Sequence, residues 1–191
     1  MSIDPEFTPH TISFCPHCGE KSFEPVSDKA WRCGGCNFLW YQNTAAAVAA
    51  IVLHGGEILF AVRAGAPQAG KLDLPGGFVD NDESGEVSLL RELDEELGLT
   101  GIDLRYMASF PNTYPYAGVE YKTLDLVYLV ELDEKPDLQP ADDVSAIRWI
   151  HADAVPFEEI AFDSVHRALR YFLTHRDLPA KKRTGLDEEY D

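Results

Sequence analysis

Residues 74–99 read LPGGFVDNDESGEVSLLRELDEELGL, and this stretch constrains the chain more than any other. A Pro-Gly-Gly turn leads into a helical segment. Ser84 or Glu83 is placed to open the helix, and Gly98 to close it as a left-handed residue. Leu89, Leu90, Leu93 and Leu97 supply an apolar stripe to bury. Glu92, Glu95 and Glu96 stand at i, i+3 and i+4, so they share a helical face. That face works against stability. Like charges four apart repel by roughly 0.2–0.5 kcal/mol per pair, and anions in the last turn oppose the macrodipole. Arg91 is the one cation within the segment. A concentrated breach of local rules is expected where function demands it. Carboxylates gathered this way suit a hard divalent cation with oxygen ligands, Mg²⁺ or Mn²⁺. A solvated acidic helix face is the competing reading of the glutamates alone.

Spacing separates the two readings. From Gly77 the chain runs Gly, five residues, Glu83, seven residues, Arg91-Glu92-Leu93, one residue, Glu95-Glu96, one residue, Gly98-Leu99. This resembles the complete signature of the Nudix hydrolases, G-x5-E-x7-R-E-U-x-E-E-x-G-U with U aliphatic. Gly70, Leu74, Pro75 and Gly76 resemble the usual approach to that box. The likeness covers most of the chain after about Thr44, although only the box is specific.

Four cysteines precede it as Cys15-Pro-His-Cys18 and Cys33-Gly-Gly-Cys36, a C-x2-C-x14-C-x2-C pattern. Two such knuckles can offer four thiolates to one tetrahedral Zn²⁺, which then has no open position and is structural. Two disulfides or a redox pair are the alternatives, and the absence of a secretory signal disfavours them. His17 is a competing ligand or an ordinary loop residue. A ribbon of about 30 residues has little core, so metal binding is expected to supply most of its folding energy. Trp31, Phe38, Trp40 and Tyr41 are expected to pack on the knuckles or on the next domain. A zinc ribbon ahead of a Nudix box resembles the NADH pyrophosphatases and some FAD or ADP-ribose pyrophosphatases.

The expected organisation is a leader over residues 1–10 with the look of a vector-derived segment, a ribbon over 11–42, a catalytic domain over 43–178 and a charged tail over 179–191. With 33 acidic against 16 basic residues, the formal charge is −17. Such a field repels nucleic acid and anionic membrane, so neither is a default partner. No apolar run approaches the ~20 residues of a membrane span. Together with the missing signal this suggests a cytoplasmic enzyme.

After the ribbon, residues 44–53 (TAAAVAAIVL) read as a buried strand, 54–57 as a hairpin turn and 58–63 as the returning strand. The alanines suit close packing against a helix. Residues 102–110 and 121–132 read as strands. Between them, 111–120 reads as an irregular loop, because of its Pro and Gly content, with Tyr114 and Tyr116 turned to a nucleobase. A Pro-rich connection over 135–141 precedes Asp142-Asp143 and a short strand over 146–150. Residues 164–176 read as an amphipathic helix with Val165, Leu169 and Phe172 on one face and Asp163 or Ser164 as its N-cap.

The Nudix resemblance implies an α/β/α sandwich with a mixed sheet, and the order of elements agrees with it. It further implies hydrolysis of a pyrophosphate bond, with Glu92 and Glu96 as metal ligands and Glu95 near the metal or acting through water. The Gly76 carbonyl and Glu83 would complete the site. Arg91 would orient the carboxylates, and Arg63, at a strand end, would stand near substrate or be solvated. Glu95, Glu120 and Asp143 are candidates to activate water, and Asp142 or Asp143 to approach the metals. NADH pyrophosphatases carry Ser-Gln-Pro-Trp-Pro-Phe-Pro where this chain has Ser109-Phe110-Pro111-Asn112-Thr113-Tyr114-Pro115. That departure points to a broader ADP-linked class such as ADP-ribose or FAD. A small nucleotide substrate and a homodimer are the implied partners. A non-catalytic ligand sensor or RNA-contacting regulator is the rival. Such proteins usually lose box glutamates, and every one is present here. A modified-nucleoside-triphosphate pyrophosphatase is the third reading.

Overall fold

In the computed structural model the described residues are 12–176, so the expected leader and charged tail lie outside them. The first unit is an antiparallel meander of β1 (Phe23–Ser27), β2 (Ala30–Cys33) and β3 (Leu39–Tyr41). Its small core is Phe23, Trp31, Cys15 and Cys33, edged by Ile12, Phe38 and Trp40. Tyr41 is exposed rather than packed, because it lies on the last strand with its ring beyond that core.

The second unit is built on β4 (Ala45–His54), β5 (Glu57–Arg63), β6 (Leu72–Asp73), β7 (Arg105–Tyr116), β8 (Val119–Glu131) and β9 (Val144–His151). The strand order is β6-β5-β4-β8-β7, with β9 on β5. β4 and β8 run parallel in a continuous register, and the other pairs are antiparallel. Side chains alternate along each strand, so the two faces of the sheet are covered separately. On one face Val48, Ala50 and Val52 of β4 with Tyr128 and Val130 of β8 meet Leu89, Leu93 and Leu97 of α1 (Gly85–Leu97). On the other, Ile51, Phe60, Val127 and Leu129 meet Val165, Leu169 and Phe172 of α2 (Asp163–His175). The result is the expected α/β/α sandwich.

β4 and β5 pair only at Leu53–Ile58 and His54–Glu57, next to their turn, and then diverge; β5 keeps β9 along its other edge and takes β6 at Ala61 and Val62. The loop after β6 occupies the vacated edge of β4. Val48 N–H donates to Gly77 O (2.8 Å), Ala50 N–H to Pro75 O (2.9 Å) and Val79 N–H to Ala46 O (3.1 Å). This backbone pairing seats the Pro-Gly-Gly turn in the sheet. Gly76 has φ +140°, and a Cβ there would stand 2.1 Å from Val48 O, so only glycine fits.

Several expectations are corrected. Residues 111–120 are not a loop. β7 and β8 form one long hairpin through this stretch, with Tyr114 opposite Tyr121 and Pro115 opposite Glu120, and the turn falls at Ala117-Gly118. The prolines sit in β7, the last strand of the sheet order, where a missing N–H costs no ladder bond on its open side. α2 has Phe162 as its N-cap residue with no side-chain cap; the Ser164 hydroxyl is used elsewhere. Leu90 is 38 % exposed, since Leu89, Leu93 and Leu97 already define the buried stripe and Leu90 lies a further 100° round the helix. Of the alanines in β4, Ala50 meets α1 as expected, whereas Ala47 and Ala49 line a cavity.

Candidate active site and thiolate cluster

α1 begins at Ser84, whose Oγ accepts from Val87 N–H (3.3 Å), and ends at Gly98 with φ 67°. These caps fix the rotation of the helix. Glu92, Glu95 and Glu96 then face a cavity of about 330 Å³ between α1, the Gly76-Gly77 turn and the Asp142-Asp143 turn. Gly76 N–H donates to Glu96 Oε2 (3.0 Å). A Cβ at Gly77 would come within 2.5 Å of Glu92 Oε1, so bare backbone is what lets that carboxylate approach the turn. Ala141 N–H donates to the Glu96 main-chain carbonyl (3.0 Å), which holds the Asp142-Asp143 turn against the end of α1.

Arg91 distributes the carboxylates. Its Nε and Nη2 bond both oxygens of Glu83 (3.0 Å each), and its Nη1 bonds Glu92 Oε1 (2.8 Å) and Glu95 Oε2 (3.0 Å). These bonds hold the Glu83 carboxyl below its usual range. Glu92 and Glu96 move the other way. Burial raises Glu92, and it pushes Glu96 up to about 8, the Gly76 N–H only partly opposing it. A group in that condition gains most from a cation placed beside it. The donor set is all oxygen, a set that fits Mg²⁺ or Mn²⁺ better than a soft metal. In the present arrangement three carboxylate oxygens do not meet at one point. Among the described residues, the four cysteines are the only group of three or more ligand atoms within 4.8 Å of one another.

Not every expected residue reaches the cavity. Glu92, Glu95, Glu96, Arg91, Gly76, Asp142, Asp143, Arg63 and Tyr114 line it. Glu83 stands behind Arg91, joined to the site through the guanidinium. Glu120 does not line the cavity; it lies in β8 near the hairpin tip, ion-paired with Lys122. Tyr116 is 54 % exposed and outside the cavity, although it stacks on Tyr114 at 6.4 Å between centroids. Arg63 is not a solvated strand end. Its Nη1 bonds Asp73 Oδ2 (2.9 Å), its Nε bonds Pro67 O (2.8 Å), and its guanidinium lies 5.0 Å from the Phe162 ring centre.

Among the cavity residues that escaped the sequence reading are Asp73, Asp125 and Phe162. Burial pushes the Asp73 carboxyl up to about 6 despite its bond to Arg63. Asp125 did carry a signal. Thr123, Asp125, Val127 and Leu129 share one face of β8 by strand alternation, so a carboxylate there interrupts a core-facing row. Phe162 carried none, since its place depends on how α2 returns to the sheet.

In the ribbon, Cys15 Sγ lies 3.8 Å from Cys36 Sγ and Cys18 Sγ 3.6 Å from Cys33 Sγ. A tetrahedral Zn²⁺ with bonds of ~2.3 Å has sulfur–sulfur edges of ~3.8 Å, whereas a disulfide requires ~2.05 Å. The four thiols are therefore free and set at the spacing of a tetrahedral thiolate site. His17 Nδ1 is 3.7 Å from Cys36 Sγ, and its ring stacks on Phe38.

Comparison with known proteins follows the same division. NAD-capped RNA hydrolase NudC of Chromobacterium violaceum is 28% identical over 173 residues, covering 90% of this chain and 62% of that protein. The NudC of Vibrio vulnificus is 27% identical over 149 residues, 76% of this chain and 53% of that protein. The chain thus spans less than two thirds of these relatives' length. Among solved structures, a NUDIX hydrolase from Nitrosomonas europaea superposes with a TM-score of 0.62 at 24% identity, covering 86% of this chain and 92% of that one. The NUDIX domain of Shewanella oneidensis NrtR, a cocrystal with ADP ribose, gives 0.57 at 23% identity, covering 73% and 91%. Both show the fold. No helix among the described residues is long and apolar enough to cross a membrane. A NUDIX domain model matches residues 43–172, from just before β4 to near the end of α2. A match of that extent, over a sheet and helix that seat every residue of the box signature, places the chain in the Nudix family.

Proposed function

We propose that this protein hydrolyses the pyrophosphate bond of a nucleoside diphosphate linked to a second moiety, of the ADP-ribose, NAD(H) or FAD type. Water adds to one phosphorus as the bridging P–O bond breaks, leaving AMP and a second phosphate ester. The observation that carries this reading is the convergence of Glu92, Glu95, Glu96 and the Asp142-Asp143 turn on one cavity. So anionic a cavity repels a pyrophosphate unless cations intervene. Bound there, Mg²⁺ or Mn²⁺ would neutralise the phosphate oxygens and lower the pKa of a coordinated water. Glu92 and Glu96 would hold the ion with the Gly76 carbonyl. Arg91 holds Glu92 and Glu95 in register, and the Gly76 N–H orients Glu96. Glu95, whose side chain is half exposed, and Asp143, which also lines the cavity, are the proposed acceptors of the proton from water; Glu120, outside the cavity, is not.

Zn²⁺ is the proposed occupant of the four-cysteine site, with a structural role. The NudC relatives are named as hydrolases of NAD-capped RNA, and NAD contains a pyrophosphate. Their names support the bond class. With a formal charge of −17, the chain is poorly suited to hold the RNA itself. The test is a hydrolysis panel of ADP-ribose, NAD⁺, NADH, FAD and a triphosphate with Mg²⁺, comparing kcat/KM and identifying the products. AMP from the linked diphosphates is expected. Turnover of the triphosphate alone, or of none, overturns the reading.

A further inference from the structure

One charged side chain in the cavity has no part in the chemistry above. Asp125 stands on β8 in the core-facing row with Val127 and Leu129, where an aliphatic side chain would pack without cost. Its carboxylate is instead held at both ends. Thr123 Oγ1 donates to Oδ1 (2.6 Å), and Ser164 Oγ, from the first turn of α2, donates to Oδ2 (2.5 Å). Both supporting residues are buried, Thr123 at 3% exposure and Ser164 at 1%. The Ser164 hydroxyl, in the first turn of α2, thus serves this carboxylate, and Phe162 at the N-cap position offers no side-chain cap. Among the described residues no Lys, Arg or His is ion-paired with Asp125; the nearby guanidinium of Arg63 is bonded to Asp73.

An ionised carboxylate has about four lone-pair sites, and the two hydroxyls use one on each oxygen. The remaining pair belongs to the cavity, which Asp125 shares with Tyr114 and Phe162. A fixed anion at this wall rejects phosphate and any acceptor group. It welcomes a ligand with two adjacent neutral donors. We propose that Asp125 accepts hydrogen bonds from the vicinal hydroxyls of a substrate ribose, and so makes the enzyme selective for ribo- over deoxyribonucleotides. This rests on the proposed function only in taking the substrate to contain a nucleoside. A carboxylate receiving a ribose hydroxyl is a common device in nucleotide sites of other folds. The N–H edge of a guanine offers the same donor pair, and the test separates the two.

The full chain is assayed with Mg²⁺ on ADP-ribose, on its two analogues lacking the 2′-hydroxyl of one ribose or the other, and on GDP-ribose. Calorimetry with the Glu96→Gln variant repeats the comparison as binding, without turnover. A hydrogen bond to a charged group is worth about 1.5–3 kcal/mol, so one deoxy analogue should lose roughly 10- to 100-fold in kcat/KM and in affinity. Asp125→Asn should bring that ratio near unity, chiefly through KM. Ser164→Ala, which keeps the carboxylate but frees one end, should give an intermediate ratio, and it covers the case in which the Asn variant folds poorly. Equal use of ribo and both deoxy forms by the unaltered chain, or an undiminished ratio in Asp125→Asn, overturns the inference. So does a preference for GDP-ribose that Asp125→Asn abolishes, which would assign the carboxylate to a base edge. Absence of turnover with a deoxy-sensitive affinity would sink the proposed reaction and leave this inference standing.

Discussion

At the ribbon, four sulfur ligands from two turns lie within 4.8 Å of one another. At the box helix, three carboxylates, Glu83, Glu92 and Glu95, are spread around a single guanidinium, that of Arg91. Both regions gather groups able to hold a metal in a chain that already carries excess negative charge, and they do it differently. The knuckles have little else to build a core from, and their sulfurs are brought together at the spacing of a tetrahedral thiolate site. The box helix is anchored by a full hydrophobic layer of Leu89, Leu93 and Leu97, and so has no need of a metal to fold. Its carboxylates stand apart, Glu83, Glu92 and Glu95 each bonded to Arg91 and Glu96 to the Gly76 N–H. A closed site stabilises; an open one reacts.

The largest effect that distinguishes the two regions is expected at Glu96. Glu96→Gln keeps an oxygen for the Gly76 N–H and removes only the charge. Mg²⁺-dependent AMP release should fall on the order of 10³-fold, about 4 kcal/mol of barrier. Melting temperature measured without added metal should not fall, since burial disfavours the charged form of this residue. Full activity in this variant would remove the carboxylate from the reaction.

Next in size is the response to chelation. Stripping the ribbon should release about one Zn²⁺ per chain and expose four thiols to a thiol reagent. Trp31, at 3% exposure the most buried tryptophan of the ribbon, should shift its fluorescence to the red. The Nudix unit should keep its own melting transition. Four thiols reactive before chelation, with no zinc by elemental analysis, would mean that the knuckles are held by something else.

Arg91→Lys should have a smaller effect, roughly 10- to 100-fold in kcat/KM. A lysine ammonium cannot hold Glu83, Glu92 and Glu95 at once, and misplacement by ~1 Å is costly at a reacting centre. The loss should lie in kcat more than in KM if Arg91 positions the carboxylates and does not bind substrate. A loss confined to KM would indicate that it binds substrate instead.

Both regions are legible in the sequence, whereas the strands that complete the cavity are less so. The cysteine spacing and the Gly77–Leu99 box each lie in a short segment, and local spacing was enough to place Ser84, Gly98 and the acidic face. The β7–β8 hairpin was missed over residues 111–120, because prolines and a glycine in a two-stranded extension look locally like loop. Only pairing across the hairpin shows otherwise. Glu120 and Tyr116 were drawn towards the site by that error. Arg63 and Asp73 lie ten residues apart and neither has a local pattern; β5–β6 pairing makes them partners. Asp125 depended on α2 supplying Ser164 from 39 positions away.

Asp73 supplies the smallest expected effect and the one that tests the cost of an open anionic site. Its carboxyl is pushed from 3.8 to about 6, by burial first, with Arg63 and the Leu74 N–H opposing and Asp125 reinforcing. An acid whose pKa is higher in the folded chain than in the unfolded one binds its proton more tightly when folded. Its contribution therefore favours folding at low pH and declines as pH rises from about 3.8 to about 6, then levels off. Asp73→Asn removes this titration, and the Arg63 partner it leaves behind contributes a constant offset. Other carboxylates have the opposite sign, Glu83 among them, and acid also releases thiolate-bound metal. The quantity to measure is accordingly the difference in urea-unfolding free energy between the original chain and Asp73→Asn, taken at intervals across that window. Relative to the variant, the original chain should lose stability with rising pH and then run parallel to it above about 6. A difference that grows in favour of the original chain would mean that the Arg63 ion pair outweighs burial. The cavity floor would then be a source of stability like the thiolate cluster, and the contrast between the two regions would fail at this position.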